Sequence, residues 1–186
     1  MPVLVTGGSG FVGGALVEFL VGRGAEVRAT ARTAPAAARV AALGAAPVAA
    51  ELFEHGSLVA AMSGCDLVFH VAGVNAMCPK DPGRMYDVNV NGPRAVVRAA
   101  AAAGVRRVVL TSSAAAIGER RGTLADESTS PRGSFPSHYA RSKHLGEKAF
   151  FDAAAQFEAP GGIVAHVSGM VDFAVEQFHE IGRAHV

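Results

Sequence analysis

The sequence predicts an α/β fold built as a doubly wound parallel sheet, and three observations predict it. Short valine-rich runs alternate with longer stretches of helical spacing. Runs such as LVFHVAG are apolar throughout, which a strand covered on both faces requires. A turn with five glycines in nine positions, TGGSGFVGG at residues 6–14, joins the first run to the first helical stretch. Strict alternation of strand and helix implies parallel strands with right-handed crossovers and helices on both faces.

The elements follow in order. PVLVTG (2–7) is too short and β-branched for a helix and stops at glycine, so it reads as a strand. Phe11, Val12, Ala15, Leu16, Phe19 and Leu20 then form one helical stripe, closed by Gly22 and Gly24. EVRATA (26–31) is the second strand, 35–43 a short helix and APVAAEL (46–52) a third strand. A short helix at 57–63 precedes the fourth strand, DLVFHVAG (66–73). A long helix over 83–103 leads to RRVVLTSS (106–113), the fifth strand. Residues 118–136, rich in Gly, Ser, Pro and charge, read as a surface loop. A helix over 137–156 and a sixth strand, GIVAHV (162–167), complete the pattern, with room for one more helix in 172–186.

Composition narrows the function. With 186 residues, half of them hydrophobic, the chain suits one domain with a sizeable core. A formal charge of +1 and no basic tract argue against nucleic acid or an anionic membrane as partner. No apolar stretch reaches the ~18 residues that span a bilayer, and the first strand starts too near Met1 for a signal peptide. Cys65 and Cys78 form no CxxC pair, and the histidines show no ligand spacing, so a metal site is not expected and a reducing cytoplasm fits.

The glycine turn satisfies two spellings: Gly7, Gly10 and Gly13 as GxxGxxG, or Gly8, Gly10 and Gly13 as GxGxxG. Either meets the same demands: a turn off the strand, close backbone approach to a pyrophosphate, and close helix packing. The amides of Phe11 and Val12 then face the phosphates, aided by the helix dipole. Placed between first strand and first helix, the turn points to a bound dinucleotide. NAD enzymes commonly carry an acid at the end of the second strand for the ribose 2′-hydroxyl. Here no acid lies between Arg28 and Glu51, while Arg32 follows the strand and Arg39 stands in the next helix. A guanidinium fork suits a 2′-phosphate, so NADP(H) is expected over NAD(H); the plainer reading makes both arginines solvated surface charges.

Tyr139 and Lys143 in SHYARSKHLGE are four apart and share a helix face. A free phenol titrates at about 10, and a nearby ammonium favours its ionised form. Ser112 and Ser113 close the fifth strand, at the carboxyl edge where doubly wound sheets bind ligands.

TGxxGxxG, a strand-end serine and YxxxK, in that order, resemble the extended short-chain dehydrogenase/reductases, the NAD-dependent epimerase/dehydratase family. EVRATAR, GCDLVFHVAG, KDP, NVNG and VVLTSS look most like the dihydroflavonol-reductase group and bacterial sugar-epimerase-like members. The resemblance covers residues 3 to about 150 and implies a Rossmann domain over 1–179 with the later substrate subdomain missing. It implies Tyr139 as general acid/base, Lys143 on the nicotinamide ribose, and Ser113 on the substrate oxygen, with Ser112 its neighbour. Asn89 stands where relatives carry a structural or relay asparagine, or is simply a helix N-terminal residue. Val71, Ala72 and Gly73 would line the cofactor, Arg32 the 2′-phosphate, and Glu51 with Leu52 the adenine, although relatives place aspartate there. His70 reads as a buried strand residue. The implied chemistry is hydride transfer at a carbonyl or alcohol carbon of a small-molecule substrate. Three parents remain open: an NADP-dependent reductase, a nucleotide-sugar epimerase or dehydratase, and a non-catalytic NADP(H)-binding module. The helices at 83–103 and 137–156 resemble the family's dimer-forming pair, so the parent is expected to be a homodimer. The last seven residues, EIGRAHV (180–186), resemble a translation of sequencing-adaptor DNA and read as a non-native tail on an amino-terminal fragment, the plainer reading being a natural tail.

Overall fold

The computed structural model describes residues 2–76, 78–117, 122, 129 and 133–157, and the backbone of 163–167. Six parallel strands form one sheet: β1 (Val3–Thr6), β2 (Val27–Thr30), β3 (Ala46–Val48), β4 (Leu67–His70), β5 (Arg107–Thr111) and β6 (Ile163–Val167). Their spatial order is β3-β2-β1-β4-β5-β6. Between β1 and β4 the chain reverses its direction of travel across the sheet, and a crevice opens at the carboxyl ends of these two strands.

The strand interiors explain the apolar runs. Leu4, Val68, Val108 and Leu110 join Met62, Val96 and Phe150 in a core on one face. Their neighbours Val5, Phe69 and Val109 join Val17, Val27 and Val40 on the other. Successive residues thus feed opposite cores, as the two-residue period of a strand demands.

The helices are α1 (Phe11–Gly22), α2 (Ala34–Ala42), α3 (His55–Met62), α4 (Gly83–Tyr86), α5 (Gly92–Ala102) and α6 (His138–Ala154). Caps set several of their starts. Thr33 Oγ1 accepts from Ala36 N–H for α2, Glu54 from Gly56 and Ser57 for α3, and Ser137 from Ala140 for α6.

Two corrections to the sequence reading concern boundaries. The long helix over 83–103 is α4 and α5 joined by a π-helical segment, Asp87–Asn91. The strands are also shorter than their apolar runs. β4 stops at His70 and β5 at Thr111, so Val71–Gly73, Ser112 and Ser113 lie beyond the ladder. These residues leave the sheet because they line the crevice. Most of the expected loop at 118–136, a helix in 172–186 and the tail at 180–186 lie outside the described residues. No helix among the described residues is long and apolar enough to cross a membrane.

Candidate functional site

The crevice is a cleft of about 820 Å³. One wall is the glycine turn. Gly7 has φ of +70°, and a Cβ there would lie 2.8 Å from the backbone of Ala72, so only glycine lets β1 turn this close to the chain leaving β4. A Cβ at Gly13 would lie 2.8 Å from Gly7 C and 3.0 Å from Gly8 Cα, which keeps the first turn of α1 tight on the loop. Gly7, Gly10 and Gly13 line the cleft. Gly8 packs behind it against Ala29 and Val17, so GxxGxxG is the spelling that faces the cleft.

Gly10 caps α1, and its carbonyl accepts from Gly14 N–H. The amides of Phe11 and Val12 precede that first bond, so they have no intrahelical acceptor and sit at the positive end of the helix dipole. Phe11 is 83% exposed on the cleft. These features fit a dinucleotide: a turn with no room for a side chain at Gly7 or Gly13, and helix-end amides beside it.

Hydroxyls hold the turn in place. Gly7 N–H donates to Thr30 Oγ1 at 3.2 Å. Thr6 Oγ1 accepts from both Val71 N–H and Ala72 N–H at 3.2 Å and lies 2.7 Å from His70 Nδ1. The two amides fill its lone pairs, so its hydrogen goes to Nδ1, and hydrogen-bond counting assigns His70 the Nε2–H tautomer. His70 is 1% exposed and lies outside the cleft lining. Burial, with Lys143 adding to it, pushes its protonation down to about 3.

The adenosine end would be formed by Arg32, just past β2, and by Glu51 and Leu52 after β3, all lining the cleft. Arg39 does not join them. It lies exposed in the last turn of α2 and does not line the cleft.

At the other end Val71, Ala72, Gly73, Ser113, Tyr139 and Lys143 line the same cleft. Ser113 is half-buried, and its Oγ accepts from Ala115 N–H at 3.3 Å, capping a short 3₁₀ turn at Ala114–Ala116. Ser112 is 5% exposed and donates to the Glu147 carboxylate. Lys143 Nζ donates to the Thr111 carbonyl at 2.7 Å. Burial pushes this lysine down to about 8, against the pull of Glu147, which favours its charge.

Asn89, in the π segment, is 3% exposed and acts as a tie. Its Oδ1 accepts from Val74 N–H at 2.8 Å, and its Nδ2 donates to Val74 O and Ser142 Oγ, both at 2.9 Å. Ser142 in turn donates to the Tyr139 carbonyl at 2.8 Å. The loop after β4 is thereby joined to the start of α6. The sequence assigns no role to Thr6, Ser142 or Glu147. Thr6 has a signal there as the first residue of TGxxGxxG, and Glu147 has one in continuing the four-residue spacing of Tyr139 and Lys143.

Comparison with known proteins agrees with this geometry. The chain is 40% identical over 154 residues to a putative dihydroflavonol 4-reductase of Synechocystis sp., covering 82% of the chain and 45% of that protein. It is 37% identical over 150 residues to a 4-hydroxy-2-methyl-3-oxo-4-farnesyl-3,4-dihydroquinoline-1-oxide ketoreductase of Stigmatella aurantiaca, covering 78% of the chain and 45% of that protein. Among solved structures it resembles the UDP-glucose 4-epimerase of Thermus thermophilus in complex with NAD, with a TM-score of 0.76 and 28% identity, over 90% of this chain and 54% of that one. The chain spans about half the length of these relatives. The family model described as "NAD dependent epimerase/dehydratase family" matches residues 3–180. With that match over a glycine turn, a strand-end serine and a Tyr/Lys pair on one cleft, the chain belongs to the NAD-dependent epimerase/dehydratase family.

Proposed function

We propose that the parent protein is an NADPH-preferring oxidoreductase that reduces a ketone or aldehyde carbon of a small molecule, with Tyr139 moving the proton. The observation that carries this reading is that Ser113, Tyr139 and Lys143 line the same cleft as the glycine turn. The glycine turn and Lys143 would hold a nicotinamide cofactor, which would supply hydride chemistry at the substrate carbon. The chain's own residues do the rest. Ser113 Oγ donates to the substrate oxygen and orients it. Tyr139 gives the alcohol oxygen its proton as general acid. Lys143 would hold the ribose hydroxyls and place positive charge beside the phenol. Asn89 fixes the backbone at Tyr139 through Ser142.

Tyr139→Phe in the complete protein abolishes turnover and spares NADPH binding. Retained carbonyl reduction, followed as NADPH oxidation over a panel of ketones and aldehydes, removes Tyr139 from the mechanism. Arg32 supports the cofactor preference, because its fork matches a 2′-phosphate and it lines the cleft. Fluorescence titration gives tighter binding of NADPH than NADH, and Arg32→Ala narrows the gap; equal affinities in the parent refute the assignment.

Likeness to the epimerase that carries NAD favours a second reading, a nucleotide-sugar epimerase or dehydratase. There the same three residues would act twice, with no net consumption of cofactor. Epimerisation of a UDP-sugar without net NADPH consumption selects that reading. In either case the parent works in the cytoplasm as a homodimer, paired through the helices around 83–103 and 137–156.

A further inference from the structure

Along α6, Tyr139, Lys143 and Glu147 follow one another at four-residue steps and share a face. The carboxyl end of β5 abuts that face. Two successive residues are pinned to it: Thr111, whose carbonyl accepts from Lys143 Nζ, and Ser112, whose hydroxyl donates to the Glu147 carboxylate. The third, Ser113, turns into the cleft. Glu147 itself does not line the cleft, so it is not placed to touch cofactor or substrate.

We propose that Glu147 is a positioning residue, which anchors the β5 end through Ser112 and keeps the Lys143 ammonium charged beside Tyr139. A buried hydroxyl bound to a carboxylate is a charge-assisted bond of the stronger kind, so the anchor is stiff. The electrostatic half has a simple origin. Burial disfavours the charged lysine, and among the described residues the titratable groups that share its surroundings are Tyr139, one turn back on α6, the buried His70 ring, and Glu147. Of these, Glu147 is the anion that opposes the burial. The inference rests on the catalytic reading above for its purpose, but not for its test.

The chain has three lysines, Lys80, Lys143 and Lys148, so ε-carbon-13 labelling gives few signals, and Lys143→Arg assigns the one that matters. In Glu147→Gln the amide still accepts from Ser112, and the Lys143 midpoint falls by about 1 pH unit or more. Glu147→Asp, which keeps the charge, restores the midpoint toward the parent's. Ser112→Ala leaves the midpoint where it was or raises it, since the carboxylate loses its competing donor. The same variant speeds exchange of the Ala115 amide, which Ser113 Oγ caps, by about tenfold or more. An unmoved midpoint in Glu147→Gln overturns the proposal. So does a fall in Ser112→Ala as large as that in Glu147→Gln, which would make the effect one of loosened packing, and so does unchanged Ala115 exchange. Because no turnover is read, an active Tyr139→Phe would end the catalytic reading and leave this result standing.

Discussion

Gly13→Ala tests the glycine turn most directly when set beside Gly22→Ala. Both glycines lie in α1, so both substitutions gain the helix preference of alanine, up to about 1 kcal/mol. Around Gly22 a Cβ meets nothing within 4 Å. At Gly13 it overlaps the Gly7 carbonyl oxygen and comes within 2.8 Å of Gly7 C and 3.0 Å of Gly8 Cα. Every one of these atoms is backbone of the turn, so no side chain can swing aside. Either α1 lifts off the turn or the turn opens. The two variants therefore differ mainly by that strain, about 1–3 kcal/mol on the scale of overpacked sites. In a domain of this size the difference is a Tm gap of roughly 2–12 °C. Urea unfolding followed by far-ultraviolet circular dichroism reads the free-energy gap. NADPH fluorescence titration reads the turn itself, because lifting α1 moves the Phe11 and Val12 amides. Equal stability of the two variants, with equal NADPH affinity, would refute the claim that the turn is closed by contact at Gly13.

Two further outcomes follow from buried polar groups. His70 protonates at about 3 in the fold against an ordinary 6.5. As pH drops from 6.5 toward 3 the unfolded chain takes up a proton that the folded chain refuses, so stability falls, with a slope approaching about 1.4 kcal/mol per pH unit. His70→Gln flattens that part of the pH–stability curve, and parallel curves for the two proteins would refute the assignment. Asn89→Ala strips partners from Val74 N–H, Val74 O and Ser142 Oγ and costs about 2–4 kcal/mol in urea unfolding; a loss under about 1 kcal/mol would show that water replaces the amide.

Much of this was legible in the sequence because the signals are local or periodic. The valine runs marked all six strands, and alternation marked the sheet, since a parallel strand buried on both faces needs apolar residues at every step. The glycine turn was legible as a motif. Its two spellings could not be separated, because only the nearness of Ala29 shows that Gly8 packs away from the cleft. Arg32 lines the cleft and Arg39 does not, a difference set by the path of α2 rather than by residue type. The π segment carries no composition of its own, and its residues keep an ordinary helical pattern. The ties from Thr6 to His70, Val71 and Ala72 and from Asn89 to Ser142 join residues 53 to 66 positions apart, beyond the reach of any spacing rule.

The π segment also makes the geometry of the cleft a matter of counting. A π turn is an α-helix carrying one residue more than its hydrogen bonds need. Deleting a single residue from Asp87–Asn91 would let α4 and α5 merge into one regular helix, turning everything before the cut by about 100° about the helix axis. Arg84, which now lines the cleft, would swing away from it, and Val88 with it when the cut falls after Val88. Insertion and deletion here would therefore act as a coarse adjustment of pocket shape, reached without altering Ser113, Tyr139 or Lys143.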